Sequence, residues 1–373
     1  MRVGLITTLG TNIGDDLIRE GVVTLLRHHL AGGDLTLVPV NKHRPHTVYP
    51  VSHPIRWIPA RSDLPRSVVR GRRRLVARLA RGGRSRFDRC DLIVQCGAPV
   101  FWPGCAESEW AGPLWEDIVE RLARSVPALN LAAGSCYPWN QRLEPLIGDA
   151  DAAFIRRILE TCRLTTVRDA VSERLLERLG RTVPRLPCTA FVSAMGQHAV
   201  MDDGGYVLLN FMPGGGHYDW GQGIDRERWA SVMRACATSL GRRHRIAFLC
   251  HDAREVEAAG RLVPGARTFH PRTVAEYLLV VREAKFAICN RMHAAVAMAG
   301  LGIPSVAVCT DTRLHMVAEL GLPIAFVDDV TAASLLETSE TLLRDRHREQ
   351  ERLLALREAT FARYLALIGA HVP

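Results

Sequence analysis

Between Ala284 and Val308 the sequence reads AKFAICNRMHAAVAMAGLGIPSVAV. A buried strand, KFAICN, runs into a helix of small residues, and Arg291 and His293 stand at the junction. The first backbone N–H groups of a helix have no partner within it, so that point favours an anion. Arginine adds a planar fork matched to phosphate or carboxylate. Histidine adds a donor that also moves a proton near neutral pH. Together they predict an anion site, with His293 as the acid. The structural alternatives are an inter-domain salt bridge for Arg291 and a satisfied core position for His293.

Ligands of open α/β sheets bind at the carboxyl ends of strands, so the residues after each apolar run are the next candidates. RVGLIT is followed by TTLGTNIGDDLI, where Gly10 and Gly14 permit close backbone approach. Asn12 faces a ligand or caps a helix. Asp15 is a candidate base, and a helix dipole alone would also favour it there. After ALNLAAG, Gly134 and Ser135 offer backbone and hydroxyl donors or make a plain strand–helix turn. After LTTV, Arg168 pairs with an acid or faces a cleft, and Asp169 or Ser172 caps the next helix. NFMPGGGHYDWG carries three glycines, Gly214 to Gly216, whose flexible backbone suits ligand approach, with Gly215 at the centre. No Gly-Lys-Ser/Thr follows, so this is not a P-loop. FLCHDAREVEAA places His251 and Asp252 at another strand end. Asp252 reads as a cap, and His251 has no evident structural use. Phe101, Trp102 and Trp110 stack on a sugar ring or pack against a neighbouring domain.

The elements that must position these residues alternate short apolar strands with amphipathic helices, the pattern of parallel β-α units. One series runs RVGLIT, LTLVPV, DLIVQCG, ALNLAAG and LTTVRD, and a second begins at Tyr206 with YVLLNF, RIAFLC, ARTFH, FAICN and PSVAVC. With 373 residues, two domains are expected: 1–195 and 205–345, joined near VSAMGQHAVMDDGG and followed by a helical segment over 346–373. The fold class is α/β, with two Rossmann-like domains.

Composition limits the partners. The chain has a net charge of +9 but only two lysines, Lys42 and Lys285. Arginine with abundant alanine is the signature of a GC-rich coding sequence, so the charge argues for an anionic substrate or surface rather than for nucleic acid. The most basic stretch, Arg61 to Arg86, reads as a solvated helix, with contact to an anionic membrane as the alternative. No apolar run reaches the roughly 18 residues of a spanning helix, and MRVGLITTLG reads as a strand rather than a signal peptide. The ten cysteines include no C-x-x-C pair and several lie in strand-like runs. They read as reduced core cysteines of a cytoplasmic protein, and no metal site is expected.

Three segments, in order, resemble the polysaccharide pyruvyl transferase family: TNIGDDLI, TTVRDAVSERLLERLG and NRMHAAVAMAGLGIPSVAV. The matching residues are Arg168, Asp169 and Ser172 in the second, and Arg291, His293, Gly302 and Pro304 in the third. The resemblance implies a two-domain fold similar to GT-B glycosyltransferases. It implies transfer of pyruvate from phosphoenolpyruvate, a co-substrate, onto two hydroxyls of a saccharide or other hydroxylated acceptor, giving a ketal without a cofactor. It also implies that Arg168, Arg291 and His293 line the donor site. A sugar-nucleotide GT-B glycosyltransferase and a non-catalytic glycan- or lipid-binding protein are the alternatives. The chain departs from the family pattern at Cys96-Gly97-Ala98, where a glycine triplet is common, and at Cys188, where an aspartate is common.

Overall fold

The computed structural model describes residues 1–10, 12–30, 33–57, 83–141, 147–218 and 220–372. Most of the basic stretch, 61–82, lies outside them, and so does the alternative of a membrane contact through it. Two six-stranded sheets organise the chain, and every strand pairing in them is parallel. The first contains β1 (Arg2–Thr7), β2 (Thr36–Asn41), β3 (Leu92–Gln95), β4 (Pro99–Phe101), β5 (Ala128–Ser135) and β6 (Leu164–Val167). Its order is β2-β1-β3-β5-β4, with β6 also on β5. The second contains β7 (Tyr206–Leu209), β8 (Arg245–Leu249), β9 (Thr268–Phe269), β10 (Ala284–Cys289), β11 (Ser305–Cys309) and β12 (Ile324–Phe326). Its order is β12-β11-β10-β7-β8-β9, the doubly wound Rossmann arrangement.

All ten apolar runs become strands. β4 and β12 are additional: the short PVF segment pairs with the far end of β5, and IAF extends the edge beyond β11. Burial on both faces makes the central strands continuous apolar runs, as parallel sheets require. LWEDIVERLARSV does not form a simple α-helix. Ala111–Val119 is wound as a π-helix, and only Glu120–Leu122 is α-helical. The C-terminal segment breaks at Asp345 into helices Ala332–Arg344 and Arg346–His371.

The two sheets share one apolar core. It runs from Leu5 and Leu131 in the first sheet through the helix Ile13–His29 to Ala287, Cys289 and Met298. The turn Thr189–Val192 is wedged between the helices Ile13–His29 and Met292–Gly300. A Cβ on Gly21 would lie 1.8 Å from the Thr189 carbonyl oxygen, and one on Gly300 would lie 2.4 Å from that of Phe191. Only glycine permits both approaches. Across the halves, Thr312 Oγ1 accepts from the Tyr137 N–H at 3.0 Å, and Thr312 N–H donates to the Tyr137 carbonyl at 3.0 Å.

The C-terminal helix locks this junction through Arg357, which is 4% exposed. Its Nη1 donates to the carbonyls of Ala194 (3.1 Å), Gln197 (2.6 Å) and Gly300 (2.6 Å). Arg357→Ala leaves buried carbonyls without a donor. It should lower the unfolding free energy by about 2–4 kcal/mol in urea titration. An unchanged midpoint would show that the helix does not secure the junction.

Candidate active site

The carboxyl ends of both sheets face one cleft of about 560 Å³, within the range of a small-molecule site. From the first half, Asn12, Asp15, Lys42, Trp102 and Trp110 line it; from the second, His217, His251, Asp252, Arg291, His293 and Arg313.

Asn12 caps the first helix. Its Oδ1 accepts from the Gly14 N–H at 3.0 Å and, across the cleft, from His251 Nδ1 at 3.4 Å. His251 is buried, with its ring edge-on to Tyr277 and its Nε2 unpartnered. Asp15 follows on the first helical turn. Burial raises its carboxyl above the ordinary range against the pull of Lys42. Burial likewise lowers the Lys42 ammonium, which makes no hydrogen bond to the described residues. The two shifts displace the carboxyl and the amine toward each other, as at sites that move protons.

Arg291 is the N-cap residue of the helix Met292–Gly300, as the sequence places it, but its fork is not free. Nε donates to Glu255 Oε1 at 2.6 Å, Nη2 to Asp252 Oδ2 at 3.2 Å, and Nη1 meets His217 Nδ1 at 3.0 Å. The expectation of an anion-binding fork therefore needs correction. Arg291 is buried, and a buried guanidinium requires carboxylates, supplied here by its own half of the chain. It is not an inter-domain salt bridge either. Asn210 Oδ1 fixes the backbone, accepting from the N–H of Asn290 (3.1 Å) and of Arg291 (2.6 Å).

His293 lies two residues on, in the first turn of the helix. Burial, with Arg168 beside it, holds its pKa well below the usual histidine range. Its Nε2 is 3.3 Å from Arg168 Nη1. Burial beside Arg168 thus favours the uncharged imidazole at His293. Across from it, burial favours the protonated carboxyl at Asp15. Gly14 closes the other side, where a Cβ would lie 3.1 Å from His293 Nδ1.

Arg168 is fully buried behind the cleft wall. Nη1 also contacts Cys188 Sγ at 3.7 Å, and Nε and Nη2 have no partner. The Cys188 departure from the family pattern thus touches Arg168 directly. Gly134 is the seat of that arginine, since a Cβ would fall 2.3 Å from its Nε; the Gly134 N–H is spent on Ala98. Ser135 is buried and donates to Asp169 Oδ1 at 3.5 Å, while Asp169 caps the next helix through Ser172. Neither Gly134 nor Ser135 offers a donor to the cleft. Gly215 sits at φ +71° against Val327 and brings His217, two residues on, to the cleft rim.

Lys42, His217 and Arg313 escaped the sequence reading. Lys42 directly follows β2, and Arg313 follows β11 by a few residues, so the strand-end rule would have found both. Arg313 is clamped by Asp311, Nε to Oδ1 at 2.8 Å and Nη2 to Oδ2 at 2.7 Å, over the Tyr218 ring. Of the aromatics, Trp102 faces the cleft with Trp110 behind it, ring centroids 5.8 Å apart, and Trp110 and Phe101 belong to the core. Among the described residues no group of three His, Cys, Asp or Glu is arranged to hold a metal ion, and no helix is long and apolar enough to cross a membrane. All ten cysteines are free thiols.

Two Rossmann-like domains closing on one cleft define the GT-B class of fold. It is shared with a putative UDP-N-acetylglucosamine 2-epimerase from Listeria monocytogenes, at 13% identity and TM-score 0.57 over 100% of this chain and 96% of that one. The UDP-GlcNAc 2-epimerase from Neisseria meningitidis bound to UDP-GlcNAc gives 11%, 0.57, 99% and 100%. MnaA of S. aureus with UDP gives 10%, 0.56, 95% and 91%. At such identities the likeness is one of fold. The family model of polysaccharide pyruvyl transferase matches residues 12–311, and the chain belongs to that family. No curated protein sequence matches it significantly.

The buried histidines give a pH test. Unfolded histidine takes a proton near pH 6.5, whereas native His251 and His293 have pKa values well below that. Below pH 6.5 the unfolded state therefore binds more protons, and stability must fall as pH falls. Each histidine contributes up to about 1.4 kcal/mol per pH unit. Urea unfolding between pH 7 and 5 should show this slope, reduced by about one proton in His293→Asn. An identical slope in the variant would mean that His293 is protonated in the native state.

Proposed function

We propose that this chain transfers pyruvate from phosphoenolpyruvate to two hydroxyls of a saccharide acceptor, forming a ketal and releasing phosphate. The observation that carries the reading is a convergence. The Arg168-Asp169 and Arg291-x-His293 segments, far apart in sequence, meet at the Arg168–His293 contact beside a cleft large enough for both substrates.

In this reading a proton goes to the methylene carbon of the donor, making a methyl group and leaving a cationic centre on the adjacent carbon. One sugar hydroxyl attacks that carbon. The bond from it to the phosphate oxygen then breaks, phosphate leaves, and the second hydroxyl closes the ketal. Of the two hydroxyl protons released, one restores the acid and the other leaves with phosphate. Asp15, protonated more readily than an ordinary carboxyl, is the acid, and Lys42, whose ammonium makes no hydrogen bond to the described residues, is the cation for the donor's charge. Trp102, backed by the buried Trp110, supplies an indole face suited to a sugar ring.

A sugar-nucleotide reading is the second one, favoured by the UDP-GlcNAc and UDP complexes among the fold relatives. Thermal shift separates the two. Phosphoenolpyruvate should raise Tm more than inorganic phosphate or a UDP-sugar at equal concentration. A larger shift with the UDP-sugar would favour the second reading. Phosphate release from phosphoenolpyruvate across a saccharide panel should identify the acceptor. Asp15→Asn should lower kcat by about 100-fold or more, the scale of general acid catalysis; near-normal turnover would remove Asp15 from that role.

A further inference from the structure

Two arginines at this cleft each end on a histidine nitrogen. Arg168 Nη1 meets His293 Nε2 at 3.3 Å, and Arg291 Nη1 meets His217 Nδ1 at 3.0 Å. A guanidinium has five N–H donors and no acceptor. Each contacted nitrogen must therefore carry its lone pair, and each ring can hold its single proton only on the other nitrogen. The ring nitrogen left to His293 is Nδ1, beside Gly14 on the cleft; that left to His217 is Nε2, at the rim. Arg291 is spent on Glu255 and Asp252, and Arg168 is fully buried.

We propose that Arg168 and Arg291 are positioning residues that fix His293 as an Nδ1–H donor and His217 as an Nε2–H donor, both uncharged and directed to the anionic substrate. The inference rests on the pyruvyl-transfer reading for the identity of that anion, but the tautomers do not. The surroundings agree with neutral rings. Facing His293 are Arg168 from the end of β6, Arg313 after β11, His251 after β8 and Arg291 on its own element, with Asp15 across the cleft. His217 is held down to about 4 by desolvation and by Arg291. A neutral N–H donor binds an anionic oxygen without giving up its proton, which leaves proton delivery to another group. Gly14 and Gly134 become part of the same device, one leaving room beside His293 and the other seating Arg168.

The test is nitrogen NMR of the full chain labelled with 15N-histidine, the two rings assigned from His293→Asn and His217→Gln. At pH 7 without ligand, His293 should show a protonated Nδ1 and a bare Nε2, the less common tautomer of free imidazole, and His217 the reverse. Arg168→Lys, which still only donates, should keep the His293 pattern, and Arg168→Met should lose it. A protonated Nε2 on His293 in the unaltered protein would overturn the assignment, whether or not the variants fold. On titration with phosphoenolpyruvate the two ring N–H protons should move downfield. Calorimetric binding with neither proton moving would overturn the donor role. If phosphoenolpyruvate does not bind, the substrate reading falls while the ligand-free spectrum still decides the tautomers. His293→Ala should lose about 10- to 100-fold in kcat/KM, the scale of one lost hydrogen bond to an anion. His293→Asn, which keeps an N–H near the Nδ1 position, should recover most of it, and no recovery would count against the donor role.

Discussion

The buried guanidinium of Arg291 constrains the second half of this protein. It lies at the point where β10 becomes a helix, 8% exposed, and nothing in an apolar interior tolerates an unpaired charge. Glu255 answers it from the helix that follows β8, and Asp252 answers it from that helix's N-cap. Glu255 in turn takes the backbone N–H of His251 at 2.7 Å and the side chain of Asn210 at 3.2 Å. The ends of β7, β8 and β10 are thereby tied to a single ion pair, and the cleft floor of this half moves with it. Removing one member of such a buried pair typically costs about 3–5 kcal/mol, because the other charge is left without compensation.

The first half reaches the same cleft by a different route. Arg168 has no carboxylate partner among the described residues; its contacts are a thiol, an imidazole and the glycine that seats it. Its charge acts on the groups around it, disfavouring a second cation at His293 and lowering the carboxyl of Asp15 against the effect of burial. In the proposed reading the site divides its labour: buried arginines set the electrostatics, and shorter side chains at the cleft face do the contacting. The parallel sheets make this possible, because all twelve strands run so that their carboxyl ends can converge, and the shared core holds the halves in register.

Much of this was legible from local sequence. Ten apolar runs named ten strands, and the residues beyond their ends included Asn12, Asp15, His251, Arg291 and His293, all on the cleft. Local sequence could not show which charges meet. Glu255 lies 36 residues before Arg291, and Arg168 lies 125 before His293. Pairing at that range decides whether an arginine is a ligand or a support. Gly134 and Ser135 were misread for a related reason. β5 continues through both, so an N–H that looks free at a strand end is already taken by the sheet. Lys42 was legible by the strand-end rule, and its rarity in a chain so dominated by arginine was the signal to follow.

The central claim is that the cleft binds its anion through fixed histidine N–H groups while Arg291 stays committed to Glu255. A crystal structure of the phosphoenolpyruvate complex tests this directly. The account predicts a phosphate or carboxylate oxygen within hydrogen-bond distance of His293 Nδ1, with Arg291 still on Glu255 as it is here at 2.6 Å. A complex in which Arg291 has left Glu255 and grips the ligand with its own fork would contradict it.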